Sequence, residues 1–186
     1  MIRDTSGQAL GFPGGNHDNG AMANITLHND PVTTVGELPT LGSAAPDFTL
    51  VGVDLAPITK ASFVGKRVIL SIFPSLDTGV CATSTRKFNE AAAALDNTVV
   101  VTVSKDLPFA AARFCTNEGI ENVVTGSAFN SSFGDDYGVT FTSGPLTGLL
   151  SRAVVVLDEN GIVIHSEQVP ETTQEPDYDA ALTVLA

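Results

Sequence analysis

Tryptophan is absent from this 186-residue chain, and tyrosine, cysteine and methionine occur only twice each. Two cysteines cannot build the disulfide framework of a small secreted domain. Cys81 and Cys115 form neither a C-x-x-C pair nor a structural zinc spacing, so any joint role for them is a redox role. Cations are scarce: 9 Lys and Arg stand against 21 Asp and Glu, a net charge of −12. That balance repels nucleic-acid phosphates, and no nucleic-acid partner is expected. No apolar run approaches the roughly 18 residues of a membrane span. His17, His28 and His165 share no ligand spacing, and no phosphate loop, G-x-S-x-G or dinucleotide fingerprint occurs. No metal and no cofactor is therefore expected.

The N-terminal stretch also lacks the apolar segment of a secretory signal, and it carries Gly7, Gly11, Gly14, Gly15 and Gly20. Residues 1–22 read as a disordered leader or tag, and residues 23–186 as one domain. Without a signal peptide, a cytoplasmic location is expected, and the glycosylation pattern Asn24-Ile25-Thr26 carries no weight.

Hydrophobic patterning supplies the architecture. Ala45–Val51, Lys66–Phe73 and Thr98–Val103 read as strands, the last two being β-branched runs. Between them Gly79–Leu95 is alanine-rich, with Cys81, Phe88, Ala92 and Leu95 on one helical face. This strand–helix–strand unit predicts a parallel crossover. Asp106 is expected to cap a second helix, Leu107–Glu118, with Pro108 in its first turn and Gly119 as its stop. Val123-Val124 suggests a short strand. Ala153–Leu157 and Ile162–Ser166 flank the hairpin turn Asp158-Glu159-Asn160-Gly161. Asp177–Leu185 reads as a closing helix, and the acidic residues near Asp158 and from Glu171 to Asp179 as a solvated face. The order implies an α/β thioredoxin-like fold, a central mixed sheet with helices on both faces. In such sheets sites lie beyond the carboxyl ends of strands, where Cys81 follows Phe73.

Cysteine usually packs as a small buried hydrophobe, but the position of Cys81 argues for reaction. Pro74 stops the preceding strand, Asp77 or Thr78 can cap the next helix, and Cys81 then falls in its first turn. Free backbone N–H groups and the positive end of the helix dipole favour negative charge there. Full ionisation of an ordinary thiol gains only about 13-fold at pH 7.4, and lower basicity returns part of it. The larger effect must come from donors aimed at a charge that develops during reaction. Taken singly, Pro74 reads as a strand terminator, Arg152 as a surface cation at a strand start and Cys115 as a core residue.

Read together, Pro74-x-x-x-Thr78-x-x-Cys81 resembles the peroxiredoxin active-site motif. The longer string Phe73–Asn89 is similar to the thiol peroxidase subfamily of atypical two-cysteine peroxiredoxins. So are Asp106-Leu-Pro-Phe-Ala110, Arg113-Phe-Cys115, Gly144-Pro-Leu146, Arg152–Asn160 and Glu175–Asp179, and the similarity spans roughly residues 23–186. The resemblance implies Cys81 as the peroxidatic and Cys115 as the resolving cysteine. It implies that Thr78 and Arg152 hold the peroxide and the thiolate, and that Pro74 shields the pocket. It further implies hydrogen peroxide and organic hydroperoxides as substrates, a Cys81–Cys115 intramolecular disulfide, thioredoxin as reductant and a homodimer. Thr85, Lys105 and Thr116-Asn117 depart from the family pattern and bear on substrate preference. A disulfide oxidoreductase is disfavoured by the missing C-x-x-C, and a glutathione peroxidase by the missing tryptophan. A redox sensor or holdase remains the alternative of a different class.

Overall fold

A computed structural model describes residues 22–185. The expected leader, apart from Met22, lies outside these residues, as does His17. The β-branched run expected at Lys66–Phe73 forms strand β5 (Arg67–Ile72), buried along nearly its whole length. In chain order the other strands are β1 (Asn24–Leu27), β2 (Asp30–Thr33), β3 (Thr49–Gly52), β4 (Pro57–Thr59), β6 (Thr98–Ser104), β7 (Val123–Ser127), β8 (Ala153–Leu157) and β9 (Val163–Gln168). The helices are α1 (Gly79–Ala92), α2 (Pro108–Glu118), α3 (Phe133–Asp136) and α4 (Tyr178–Thr183), with a 3-10 turn at Lys60–Phe63. Seven strands form one sheet in the order β4-β3-β7-β6-β5-β8-β9. Pairing is parallel for β5/β6 and β6/β7 and antiparallel elsewhere, so the sheet is mixed, as expected.

Side-chain alternation divides the core between the two faces. Ile69, Val100, Val154 and Val156 meet Phe88 of α1 and Ala181 of α4. Their alternates Leu70, Val101, Val155 and Leu157 pack with Phe48, Phe133 and Tyr137. Helix α2 shares the first face, because its Cys115 reaches Thr125, which pairs with Thr102 two residues beyond Val100. The single turn α3 covers the second. Strands buried on both sides read as continuous apolar runs, which is why β5, β6 and β8 are legible without alternation.

Several local expectations are corrected. Strand β3 starts at Thr49 rather than Ala45. Pro46 has no N–H to give a ladder, and Ala45 N bonds instead to Gly161 O at 3.0 Å. Helix α1 ends at Ala92, not Leu95, and its tail tightens into i→i+3 bonds, Ala94 N to Ala91 O and Leu95 N to Ala92 O. Asp106 is no cap: Leu107 holds that position at α2, and no side chain caps it. Asp177 does cap α4, accepting from Ala180 N at 2.9 Å. The turn between β8 and β9 forms as expected, with Asp158 Oδ1 accepting from Asn160 N and Ile162 N, both at 2.8 Å.

The β1–β2 hairpin has no counterpart in the sequence reading. Its turn residues His28 and Asn29 have φ of 54° and 68°, as a type I′ turn requires. Glu171 pins this turn, accepting from Thr26 Oγ1 at 2.7 Å, His28 N at 3.1 Å and Asn29 N at 3.0 Å. Glu171 is thus a structural anchor, while Glu175, Asp177 and Asp179 are exposed, as expected of a solvated face. The Thr26 and Thr173 hydroxyls and the Asn29 and Thr173 amides hold the Glu171 carboxyl well below its ordinary value of 4.5. A depressed carboxylate contributes stability that is fully present above its unfolded value and is lost as pH falls through the folded one. The difference in Tm between wild type and Glu171→Gln is therefore expected to be constant above about pH 5 and to shrink below about pH 4.5. Thermal melts across pH 3–7 check this, and a difference independent of pH contradicts it.

Candidate active site

Strand β5 delivers the site. Phe73 N extends the parallel ladder by one bond, to Val103 O at 3.1 Å. Pro74, which has no N–H, ends it and is buried. Residues 75–78 turn, with Thr78 N closing on Ser75 O at 3.2 Å. Thr78 then takes the extended N-cap conformation (φ −101°, ψ 143°) and α1 begins. Cys81 is the third residue of that helix, so its sulfur lies at the helix mouth, as expected.

Thr78 caps by backbone only; its side chain makes no capping bond. Its hydroxyl donates to Cys81 Sγ at 2.7 Å, nearer than the alternative acceptor Ser75 O at 3.2 Å. The Cys81 side chain is fully buried among Phe73, Leu76, Ala111 and Phe114. An apolar wall on one side and donors on the other exclude bulk water while leaving the sulfur polar contacts.

Arg152 immediately precedes β8, whose Ala153 pairs with Ile72 at the carboxyl end of β5. That register carries the guanidinium to the helix mouth. It is 3% exposed, not the surface cation that its position alone suggests. Nη2 donates to Cys81 Sγ at 3.2 Å and Nε to Thr172 O at 2.9 Å. Nη1 is buried with no hydrogen-bond partner among the described residues. A buried cation held by one carbonyl and one sulfur lacks a counter-charge in direct contact, and a buried unpaired charge is costly. Cys81 Sγ is the side-chain atom that this cation meets.

Thr78 and Arg152 thus converge on Cys81, with Pro74 buried in the turn before them, whereas Cys115 stands apart. It lies half-buried on α2, its Sγ 3.3 Å from Thr125 Oγ1, and both cysteines are free. Helices α1 and α2 are neighbours, tied by an Arg86–Glu118 ion pair of 2.7 Å. Between them opens a cleft of about 300 Å³ lined in part by Thr78, Gly79, Ala82, Arg113 and Phe114. Reading the sequence missed the carbonyl of Thr172, which no side-chain pattern can signal. It also missed the contact of Asp106 with the turn before Cys81, because a cap was the simpler use of an Asp before a helical Pro.

The arrangement suits a nucleophilic sulfur beside fixed hydrogen-bond donors, and comparison with known proteins agrees. The Redoxin family model matches residues 40–182. The chain is 58% identical over 164 residues to a thiol peroxidase of Mycobacterium tuberculosis, covering 88% of this chain and 99% of that one. It is 53% identical, over the same shares, to a thiol peroxidase of Corynebacterium glutamicum. Among solved structures, a peroxiredoxin-like protein from Aquifex aeolicus superimposes with a TM-score of 0.81 at 40% identity, over 89% of this chain and 98% of that one. Among the described residues, no helix is long and apolar enough to cross a membrane. With the thioredoxin-like sheet and the motif from Pro74 to Cys81, these matches show that the chain belongs to the redoxin family, as a thiol peroxidase of the peroxiredoxins.

Proposed function

We propose that Cys81 is the peroxidatic cysteine and Cys115 the resolving cysteine of a thioredoxin-dependent peroxidase for hydrogen peroxide and organic hydroperoxides. The observation that carries this reading is one buried sulfur at a helix mouth receiving two side-chain donors, Thr78 Oγ1 and Arg152 Nη2. The Cys81 thiolate attacks the terminal peroxide oxygen, a sulfur–oxygen bond forms and the O–O bond breaks. The leaving oxygen takes a proton and departs as water or an alcohol, and Cys81 becomes a sulfenic acid. Thr78, Arg152 and the free N–H groups of the first helical turn are placed to stabilise charge on that oxygen. Pro74 keeps water from the sulfur.

Cys115 thiol then attacks the sulfenic sulfur, water is released and the Cys81–Cys115 disulfide forms. Two electrons from a reduced thioredoxin dithiol restore both thiols by exchange. Resolution requires motion, because Cys81 is fully buried while the Cys115 sulfur lies against Thr125. The start of α1 and the helix α2 are the segments that must rearrange. Closing the intervening loop constrains the chain by roughly 4 kcal/mol in the entropy model, enough to offset loss of one or two helical turns. Residues 23–186 act as one catalytic domain in the cytoplasm. Leu107 and Phe109, 52% and 68% exposed beside the start of α2, favour a homodimer that covers them.

The test is peroxide turnover with thioredoxin and its reductase, using hydrogen peroxide and cumene hydroperoxide. Wild type is expected to turn over both, and Cys81→Ser neither. Undiminished turnover by Cys81→Ser contradicts the reading.

A further inference from the structure

We propose that Asp106 is a positioning residue for the peroxide step, an inference resting on the roles given above to Cys81 and Thr78. Asp106 lies in the connection from β6 to α2, yet its carboxylate reaches the turn that precedes α1. Oδ1 accepts from Ser75 Oγ at 2.8 Å, and Oδ2 accepts from Leu76 N at 2.7 Å and Ser104 Oγ at 2.8 Å. Ser75 Oγ, its proton given to Asp106, accepts from Asp77 N at 3.2 Å. Pro74 has no N–H with which to tie this turn, so the carboxylate supplies its anchor from outside.

Asp106 is also held through its backbone. Its N–H donates to Ser104 Oγ at 3.2 Å, and its carbonyl accepts from the Ser127 hydroxyl. The carboxylate therefore acts as a rigid pin set in the ends of β6 and β7. It holds Ser75 and Leu76, and Ser75 O accepts from Thr78 N at 3.2 Å, so the pinned turn sets where the Thr78 hydroxyl meets Sγ. Charge-assisted bonds of this kind are about twice as strong as neutral ones. The amide of an asparagine offers one acceptor oxygen where three donors converge, so the pin loosens without loss of volume.

Rapid mixing of the reduced protein with hydrogen peroxide, beside its alkylation by iodoacetamide, tests the role. Asp106→Asn is expected to slow the peroxide reaction about 10-fold or more and alkylation less than about 3-fold, because a misaimed donor weakens the transition state without closing access. In a Thr78→Val background the same change is expected to cost less than about twofold, because the hydroxyl it aims is gone. Equal losses in peroxide reaction and alkylation, or full additivity with Thr78→Val, overturn the proposal. Should Asp106→Asn fail to fold, Ser75→Ala removes one donor and no charge, and the same pattern is expected at smaller size. Cys81→Ser separates the two levels. If it keeps the peroxide reaction, the reading of Cys81 fails. If it loses that reaction while Asp106→Asn and Ser75→Ala react normally, the positioning role alone fails.

Discussion

Replacing Arg152 with methionine is expected to lower the second-order rate constant for hydrogen peroxide by about 10²–10³-fold, the usual cost of removing one preorganised donor from a developing oxyanion. The reason is geometric. Nε is committed to Thr172 O and Nη2 to Cys81 Sγ, leaving Nη1 buried and without a partner among the described residues. A guanidinium spans these directions at once because it is a rigid planar fork, and a lysine cannot. Arg152→Lys is therefore expected to recover only a small part of the loss, although it keeps the charge. Stability is expected to change less than activity. Methionine puts apolar volume in place of a buried cation that has no carboxylate in contact, so no acidic side chain is left unpaired. Stopped-flow kinetics beside thermal melts check both statements. A peroxide rate within about fivefold of wild type would show that the guanidinium does not act on the reacting oxygens.

The second large effect is on turnover. Cys115→Ser is expected to bring steady-state turnover with thioredoxin close to zero, while each protein molecule still consumes one equivalent of peroxide. The first step needs only Cys81 and its donors; the return to the dithiol needs a second sulfur. Cys115 lies on the helix adjoining α1, with Ala111 of that helix packed against the cluster holding Cys81. Loss of one or two helical turns, not a change of fold, is expected to bring it to the sulfenic sulfur. Undiminished steady-state turnover by Cys115→Ser would mean that thioredoxin attacks the oxidised Cys81 directly.

The central sheet was legible because β5, β6 and β8 are buried on both faces, which forces β-branched residues into runs that nothing interrupts. The hairpin at Asp158–Gly161 was legible because its turn chemistry is local. The β1–β2 hairpin was not. Its four-residue strands carry little pattern, and its turn is held by Glu171, distant in sequence. The site divides in the same way. Thr78 and Cys81 lie three residues apart, so helical geometry alone joins them. Arg152 reaches them only through the pairing of β8 with β5, which the motif resemblance could supply and residue chemistry could not. Asp106 shows the opposite error: an Asp ahead of a helix has an obvious local use, and a tertiary one displaced it.

The account depends on peroxide oxidising the sulfur at the mouth of α1 and on the sulfur of α2 then capturing it. Mass analysis of the reduced protein after one equivalent of hydrogen peroxide, followed by peptide mapping without reductant, reads both events. The expected product is a single chain lighter by two hydrogens, with the peptides of Cys81 and Cys115 crosslinked. Cys81 recovered as a free thiol beside an oxidised Cys115, or a product of doubled mass, would contradict it.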